Sequence, residues 1–278
     1  MSGKVNLKEK FPKVLSPRHS QVADWQGGKL LTCSMLVRIQ PWELMLNNVS
    51  FLIPFRPTSP ERDRAFQWMI RRLDWFFHES QIVIADSSYD QFNRSEARNH
   101  ALNQATNDIC VVLDADTVWN KSLMVRAIST FQEENPPWMI AFDRYCGFDA
   151  RSTNKILKSD PAIRLDESNY TYDLILDDVS SVGGLIILKR EPLLEMGGWD
   201  ERFIGWGWED RAFAHSANML LGPFFRLEDE TIFHLWHDRS PGVTTHHPAH
   251  EDNLNLYNEC VSNFESYRKG VVSSASKV

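Results

Sequence analysis

The sequence predicts an α/β fold, a mostly parallel sheet flanked by helices in a single domain behind an N-terminal extension. Three observations predict it. Short apolar runs alternate with longer helical segments from residue 49 to about 143, the order of repeated strand–helix units. The run Ile109-Cys110-Val111-Val112-Leu113 is apolar at every position, as a strand covered on both faces must be. The 278 residues are 42% hydrophobic and 24% charged, which supplies ample material for a large core.

Residues 1–48 carry little pattern and are expected to form an extension. Residues 49–55 read as a buried strand. Ser59-Pro60-Glu61 starts a helix, with Pro near the first position and an acid in the first turn, running to about 77. Residues 81–86 read as a second strand, and 93 to about 105 as a helix opened by an Asn cap. A third strand at 108–114, a helix at 120–134 and a strand at 138–142 follow. This is a Rossmann-like pattern, in which ligands bind at the carboxyl ends of strands. Pro54-Phe55-Arg56, Asp86-Ser87-Ser88 and Asp114-Ala115-Asp116 fall there. Residues 144–180 lose the pattern and read as a long loop, the kind that forms lids or substrate walls, with Arg144, Tyr145, Tyr170 and Tyr172 as candidates. A strand at 181–188 and a short helix at 192–196, stopped by Gly197-Gly198, come next. A helix then leads from Gly205-Trp206-Gly207-Trp208-Glu209-Asp210 to about 220. One or two strands within 223–236 and a helix over about 249–268 complete the chain.

The net charge of −7 argues against a dedicated nucleic-acid binder, which needs clustered Lys and Arg. Cys33, Cys110, Cys146 and Cys260 are scattered with no CxxC pair, so free thiols in a reducing cytoplasm are expected. No stretch approaches 18 apolar residues and the N-terminal segment has no apolar signal core, so no membrane span or signal peptide is expected. The glycosylation triplets at Asn48, Asn93, Asn120 and Asn169 then carry no meaning.

Three segments carry candidate chemistry. Asp114-Ala115-Asp116 closes an apolar strand, where two carboxylates one residue apart can turn to one hard cation, Mn²⁺ or Mg²⁺, able to neutralise a diphosphate. Two solvated turn aspartates would look the same. In Gly205–Asp210, two Trp between glycines suit a ring meeting backbone at close range. Glu209 and Asp210 there either favour the positive end of the next helix or supply a general base. Phe233-His234-Leu235-Trp236-His237-Asp238 sets two His three apart, with His246, His247 and His250 beyond. With no cysteine beside them, a structural zinc module is not expected. Arg56, Arg62 and Arg94 are the cations available for phosphate oxygens.

Together these segments resemble the GT-A glycosyltransferases, especially the β-1,4-galactosyltransferase type with its carboxyl-terminal galactosyltransferase domain (families 2, 7 and 27). The matching segments, in the family order, are Ile53-Pro54-Phe55-Arg56, Phe92-Asn93-Arg94, Asp114-Ala115-Asp116, Gly183-Gly184-Leu185, Gly197-Gly198-Trp199-Asp200, Gly205 to Asp210, and the segment around His234 and His237. The resemblance covers about 49–240. It implies a catalytic domain there, with a nucleotide-binding half at 49–143, an acceptor and metal half at 181–240, and a C-terminal helical segment at 241–278. It also implies that Pro54, Phe55, Arg56, Phe92, Arg94, Asp114 and Gly184 bind the donor nucleotide, and that Trp206 lies on a mobile loop over the donor. Asp116 and His237, with His234 as a second candidate, would hold Mn²⁺ or Mg²⁺. Asp210 would be the base, with Glu209 at the acceptor sugar or supporting the site. Two departures stand out. Pro57-Thr58 follows Pro-Phe-Arg where the family has Asn-Arg, so Arg62 is a candidate replacement. Trp208 stands where the family has a second Gly.

The expected activity is metal-dependent inverting transfer of a hexose (Gal, Glc or an N-acetylhexosamine) from a UDP-sugar to a hydroxyl of a glycan, glycolipid or protein. Modified DNA is a lesser option. The absence of secretory features fits a soluble bacterial or phage relative better than the animal enzymes. The rival expectations are a retaining N-acetylgalactosaminyltransferase-like enzyme, a non-catalytic glycan-binding module on the same fold, and a nucleotidyltransferase. The last would normally carry a Gly-rich phosphate loop near its N-terminus, and none is present.

Overall fold

Strand β1 (Val49–Pro54) is buried at every position and pairs in parallel with β2 (Gln81–Ala85) and β3 (Ile109–Leu113). Between β1 and β2 runs α1 (Pro60–Phe77), opened by Ser59, whose side chain accepts from the Arg62 amide. Between β2 and β3 runs α2 (Arg94–Gln104), capped by Asn93. The chain continues through β4 (Thr117–Trp119), α3 (Lys121–Glu134), β5 (Trp138–Ile140), β6 (Arg144–Phe148), α4 (Ala150–Leu157), a 3-10 turn (Glu167–Asn169) and β7 (Tyr172–Leu176). After these come β8 (Leu185–Lys189), α5 (Arg190–Glu195), α6 (Glu209–Leu220), β9 (Phe225–Arg226), β10 (Thr231–His234), α7 (Ala249–Ser262) and α8 (Phe264–Ala275). The computed structural model describes residues 47–176, 181–238 and 249–275. Most of the expected N-terminal extension, with Cys33, and also His246 and His247, lie outside the described residues.

The main sheet has the order β2-β1-β3-β8-β5-β9, and β8 alone runs against the rest. A second sheet, β4-β10-β6-β7, stands beside it. The strands of the first half were legible because they are apolar on both faces. The expected strand at 181–188 begins only at Leu185, because Gly184 takes a left-handed φ of 96° just before it.

The expected long loop at 144–180 is corrected. Its described part holds β6, α4 and β7, elements too short and too interrupted by polar residues to leave a period in the sequence. Long-range bonds hold them in place. Asp149 caps α4 through the Ser152 amide, and the Thr171 amide bonds Ser152 Oγ. Arg72 of α1, only 1% exposed, donates to the carbonyls of Trp119 and Ile163 at 2.9 and 2.8 Å, and to that of Pro161. Its guanidinium also lies over the rings of Trp68, Phe76 and Trp119. Burial depresses its pKa to about 10, so it stays charged at neutral pH.

The expected C-terminal helix is two helices, α7 and α8. They pack near α6 around a separate apolar cluster of Phe203, Ala212, Cys260, Tyr267 and Val271. The described cysteines, Cys110, Cys146 and Cys260, are buried thiols, none of them paired in a disulfide with another described cysteine. No described helix is long and apolar enough to cross a membrane.

Arg72→Met keeps the volume but strips three buried carbonyls of a charged donor, and is expected to destabilise the fold by about 3 kcal/mol. Urea unfolding measures this; a loss under about 0.5 kcal/mol would show that Arg72 does not pin the 161–163 segment.

Candidate functional site

The site lies where the two sheets meet. β3 ends at Leu113 in the main sheet, and β4 begins at Thr117 in the second, so Asp114-Ala115-Asp116 spans the junction. The backbone fixes it there: Asp114 N donates to Gly184 O, and Leu235 N to Asp116 O. A cavity of about 970 Å³ opens at this junction. Pro54, Arg62, Arg94, Asp114, Asp116, Gly184, Trp206, Asp210, His234 and His237 all line it.

β10 pairs antiparallel with β4, setting His234 opposite Thr117 and so beside Asp116. His237 Nε2 lies 3.0 Å and His234 Nε2 3.4 Å from the two oxygens of Asp116. Burial raises the Asp116 carboxyl, but the neighbouring His234, His237 and Arg62 outweigh it and hold Asp116 far below its ordinary range. His237 Nδ1 contacts the Asp238 carbonyl at 2.9 Å. A carbonyl only accepts, so Nδ1 carries a proton and Nε2 is the atom aimed at the carboxylate; burial lowers the His237 pKa, but the Asp116 hydrogen bond and charge outweigh it and raise it. One carboxylate oxygen and two imidazole nitrogens within 4.8 Å of one another suit a divalent cation, and among the described residues these three form the one such group. Asp114 is not part of it. Neither is His250, which instead accepts from the Trp208 indole at 3.3 Å.

The acidic pair at the start of α6 divides. Glu209 is 6% exposed, takes Arg94 at 2.7 Å and the Gly207 amide at 3.0 Å, and does not line the cavity. Asp210 does line it. Arg98, one turn beyond Arg94 on α2, donates to Asp210 at 2.6 Å and to Asp114 at 3.1 Å, and is 2% exposed. Burial pushes the Glu209 carboxyl up, against the pull of Arg94. Burial pushes Asp210 the same way, but the Arg98 and Arg94 guanidiniums outweigh it and hold Asp210 below its ordinary value. Gly183 makes the arrangement possible, since a Cβ there would meet Asp210 Oδ2 at 2.3 Å.

Trp208 has φ 73°, a left-handed conformation costing a non-glycine residue roughly 1–2 kcal/mol. This explains why the family has Gly there, and here contacts offset the strain. The indole stacks on Tyr257 at 5.2 Å and donates to His250, both on α7. Asn253 of the same helix bonds Ile204 and Gly207 of the loop, which presents Trp206, 36% exposed, to the cavity.

Three residues expected at the nucleotide are not among the residues that line the cavity. Phe55 is 7% exposed and stacks on Phe66 in the core. Arg56 spends its donors on Asp86, Ser87 and the carbonyls of Tyr89 and Asp90, and lies over the Phe92 ring. The pair thus shapes the loop after β2 and is not part of the cavity lining. Arg62 does line it, with a buried Nε that has no partner and a terminal nitrogen 3.8 Å from Asp116. Sequence reasoning missed Arg98. Its four-residue spacing from Arg94 was the available signal, but it looks the same as a solvated helix face.

A family model described as Glycosyltransferase like family 2 matches residues 73–219, more than half of the chain, a span that includes Arg94, Arg98, Asp114, Asp116, Gly183 and Asp210. No curated protein matches the chain. Among solved structures, the catalytic domain of Drosophila beta1,4galactosyltransferase 7, complexed with xylobiose, is 17% identical, with 74% of this chain and 79% of that one covered and a TM-score of 0.44. S. aureus TarS 1-349 in complex with UDP-GlcNAc is 12% identical, with 82% and 71% covered and a TM-score of 0.50. The mannosyltransferase PcManGT of Pyrobaculum calidifontis, in complex with GDP-Man and Mn2+, is 15% identical, with 82% and 69% covered and a TM-score of 0.46. The likeness to TarS is one of fold. The chain belongs to glycosyltransferase-like family 2 and is a sugar-transferring enzyme of the GT-A fold.

Proposed function

We propose that the chain transfers a hexose from a UDP-sugar to an acceptor hydroxyl with inversion, using Asp210 as the base and a divalent cation held by Asp116, His234 and His237. One observation carries the reading. Of the Glu209–Asp210 pair, only Asp210 faces the cavity, and the same cavity is lined by a cation-binding trio. UDP is the nucleotide implied by the motif resemblance. A bound Mn²⁺ or Mg²⁺ would supply charge to the leaving diphosphate.

This chain's own residues supply the rest. Arg62, with its free Nε, and Arg94 present positive charge toward the diphosphate. Asp114, tied to Arg98 and backbone, lies at the ribose end, and Pro54 lines the same side. Gly184 leaves the floor open and Trp206 covers the donor sugar. Glu209 holds Arg94 and the Gly205–Trp208 loop in place. Asp210 stays ionised through its arginines and takes the proton of the attacking hydroxyl. Phe55, Arg56 and Phe92 act through the shape of the wall.

Melting temperature with a panel of nucleotide sugars, with Mn²⁺, Mg²⁺ or chelator, tests the donor site. One UDP-sugar with Mn²⁺ at about a hundred times its Kd is expected to stabilise the protein by roughly 2.7 kcal/mol, and the metal-dependent part should vanish in Asp116→Asn and His237→Ala. A metal-independent shift that survives both changes would remove the cation site.

Asp210→Asn is expected to keep that donor shift while kcat falls about 10²- to 10⁴-fold. Gly183→Ala, whose Cβ must push the carboxylate aside, should lower kcat in the same direction. Near-native turnover in Asp210→Asn would end the base assignment.

Because Arg98 and Arg94 hold Asp210 low, the base itself should be lost to protonation only at pH below the usual carboxylate value of about 3.9. Arg98→Gln lets the Asp210 pKa rise, so the acid-side loss of kcat moves to higher pH. Superimposable pH profiles would show that Arg98 does not set the ionisation of Asp210.

A further inference from the structure

The cavity has two chemically different sides. Its arginines, Arg62 and Arg94, come from α1 and α2. The opposite side is built by β6, β7 and the segment after β10. It presents Tyr145, Gly147, Phe148, Asp173, Leu174, Trp236 and Asp238, with no Lys or Arg among these lining residues. Directly opposed residues on antiparallel strands share a face. Tyr145 opposes Leu176, and Gly147 opposes Leu174. The Tyr145 ring reaches across Gly147, whose missing Cβ would stand 3.6 Å from Tyr145 Cε1, so the ring and the bare glycine form a flat floor. A bulge at Gly147 and Phe148 leaves Asp173 as an extra residue of β7, and it lines the cavity rim. β7 is the edge of its sheet, and Leu174 and Leu176, 45% and 42% exposed, carry the apolar floor outward beyond the cavity.

We propose that this face binds the acceptor, and that the acceptor is an uncharged glycoside with an apolar aglycone, a reading that rests on the transferase assignment above. The sugar lies on Tyr145 over Gly147, with Asp173 accepting from its hydroxyls. The aglycone runs along Leu174 and Leu176, continuous with the cavity through Leu174. A phosphorylated acceptor would meet Asp173 and Asp238, with no Lys or Arg among the described lining residues of that side to receive it.

The test is direct binding to the full chain, measured by calorimetry without donor, so that it does not depend on transfer. The probes are methyl and octyl β-glucosides and β-galactosides, with glucose 1-phosphate and galactose 1-phosphate. For at least one sugar, the octyl glycoside is expected to bind about tenfold or more tightly than the methyl glycoside, and the phosphates more weakly than either. Leu176→Ser, at an exposed position, should bring the octyl-to-methyl ratio close to one. Val261→Ser, at an exposed apolar position on α7, should leave the ratio as it is. The proposal is overturned if no glycoside binds, if the ratio survives Leu176→Ser, or if a sugar phosphate binds as tightly as the methyl glycosides. Octyl glycoside binding without any UDP-sugar shift would instead sink the UDP-sugar donor reading and leave this face assigned to a glycoside.

Discussion

A buried guanidinium sets the geometry of the site. Arg98 lies on α2, 2% exposed, between Asp114 at the end of β3 and Asp210 at the start of α6. Burying a charge costs several kcal/mol unless carboxylates surround it, so the ends of two elements far apart in sequence must converge on α2. Arg94 repeats the constraint one turn earlier with Glu209. Removing either carboxylate would leave Arg98 with a single close counter-charge in the wall of the cavity.

Close backbone approach is the counterpart of that constraint. Gly183 leaves room for the Asp210 carboxylate, and Gly198 leaves room for Asn99, which bonds the Trp199 amide and carbonyl. Gly183 stands just before β8, the one antiparallel strand of the main sheet, which starts beside the end of β3. The loop between β8 and α6 is then held from outside by α7. Asn253, His250 and Tyr257 accommodate a tryptophan in a conformation that otherwise calls for glycine. The departure from the family pattern at Trp208 and the C-terminal helices are therefore one structural feature.

The second sheet does separate work. Its β4–β10 pairing delivers His234 and, three residues on, His237 to Asp116, and its β6–β7 pairing builds the side of the cavity whose described lining residues include no Arg. The two sheets divide the charge. Carboxylates, histidines and arginines gather at the seam, and rings with apolar edges lie beyond it.

The sequence by itself determined the parallel half of the fold. β1 and β3 are apolar at almost every position, and α1 and α2 are announced by Ser59 and Asn93 caps, all local signals. It also named the residues that line the cavity's charged seam, because Asp114, Asp116, His234, His237 and Asp210 fall in short, ordered motifs. Tertiary structure alone decided what each does in the wall. Phe55 and Arg56 stand beside Pro54 in the chain, yet alternation and the pull of Asp86 turn them away from the cavity. Arg98 acquires its meaning from partners 16 and 112 residues away, which no local pattern records. β6, α4 and β7 were hidden for the same reason. β6 and β7 take their order from sheet partners distant in sequence, and Arg72 of α1 holds the 161–163 segment between α4 and β7, so none of this leaves a period in the sequence.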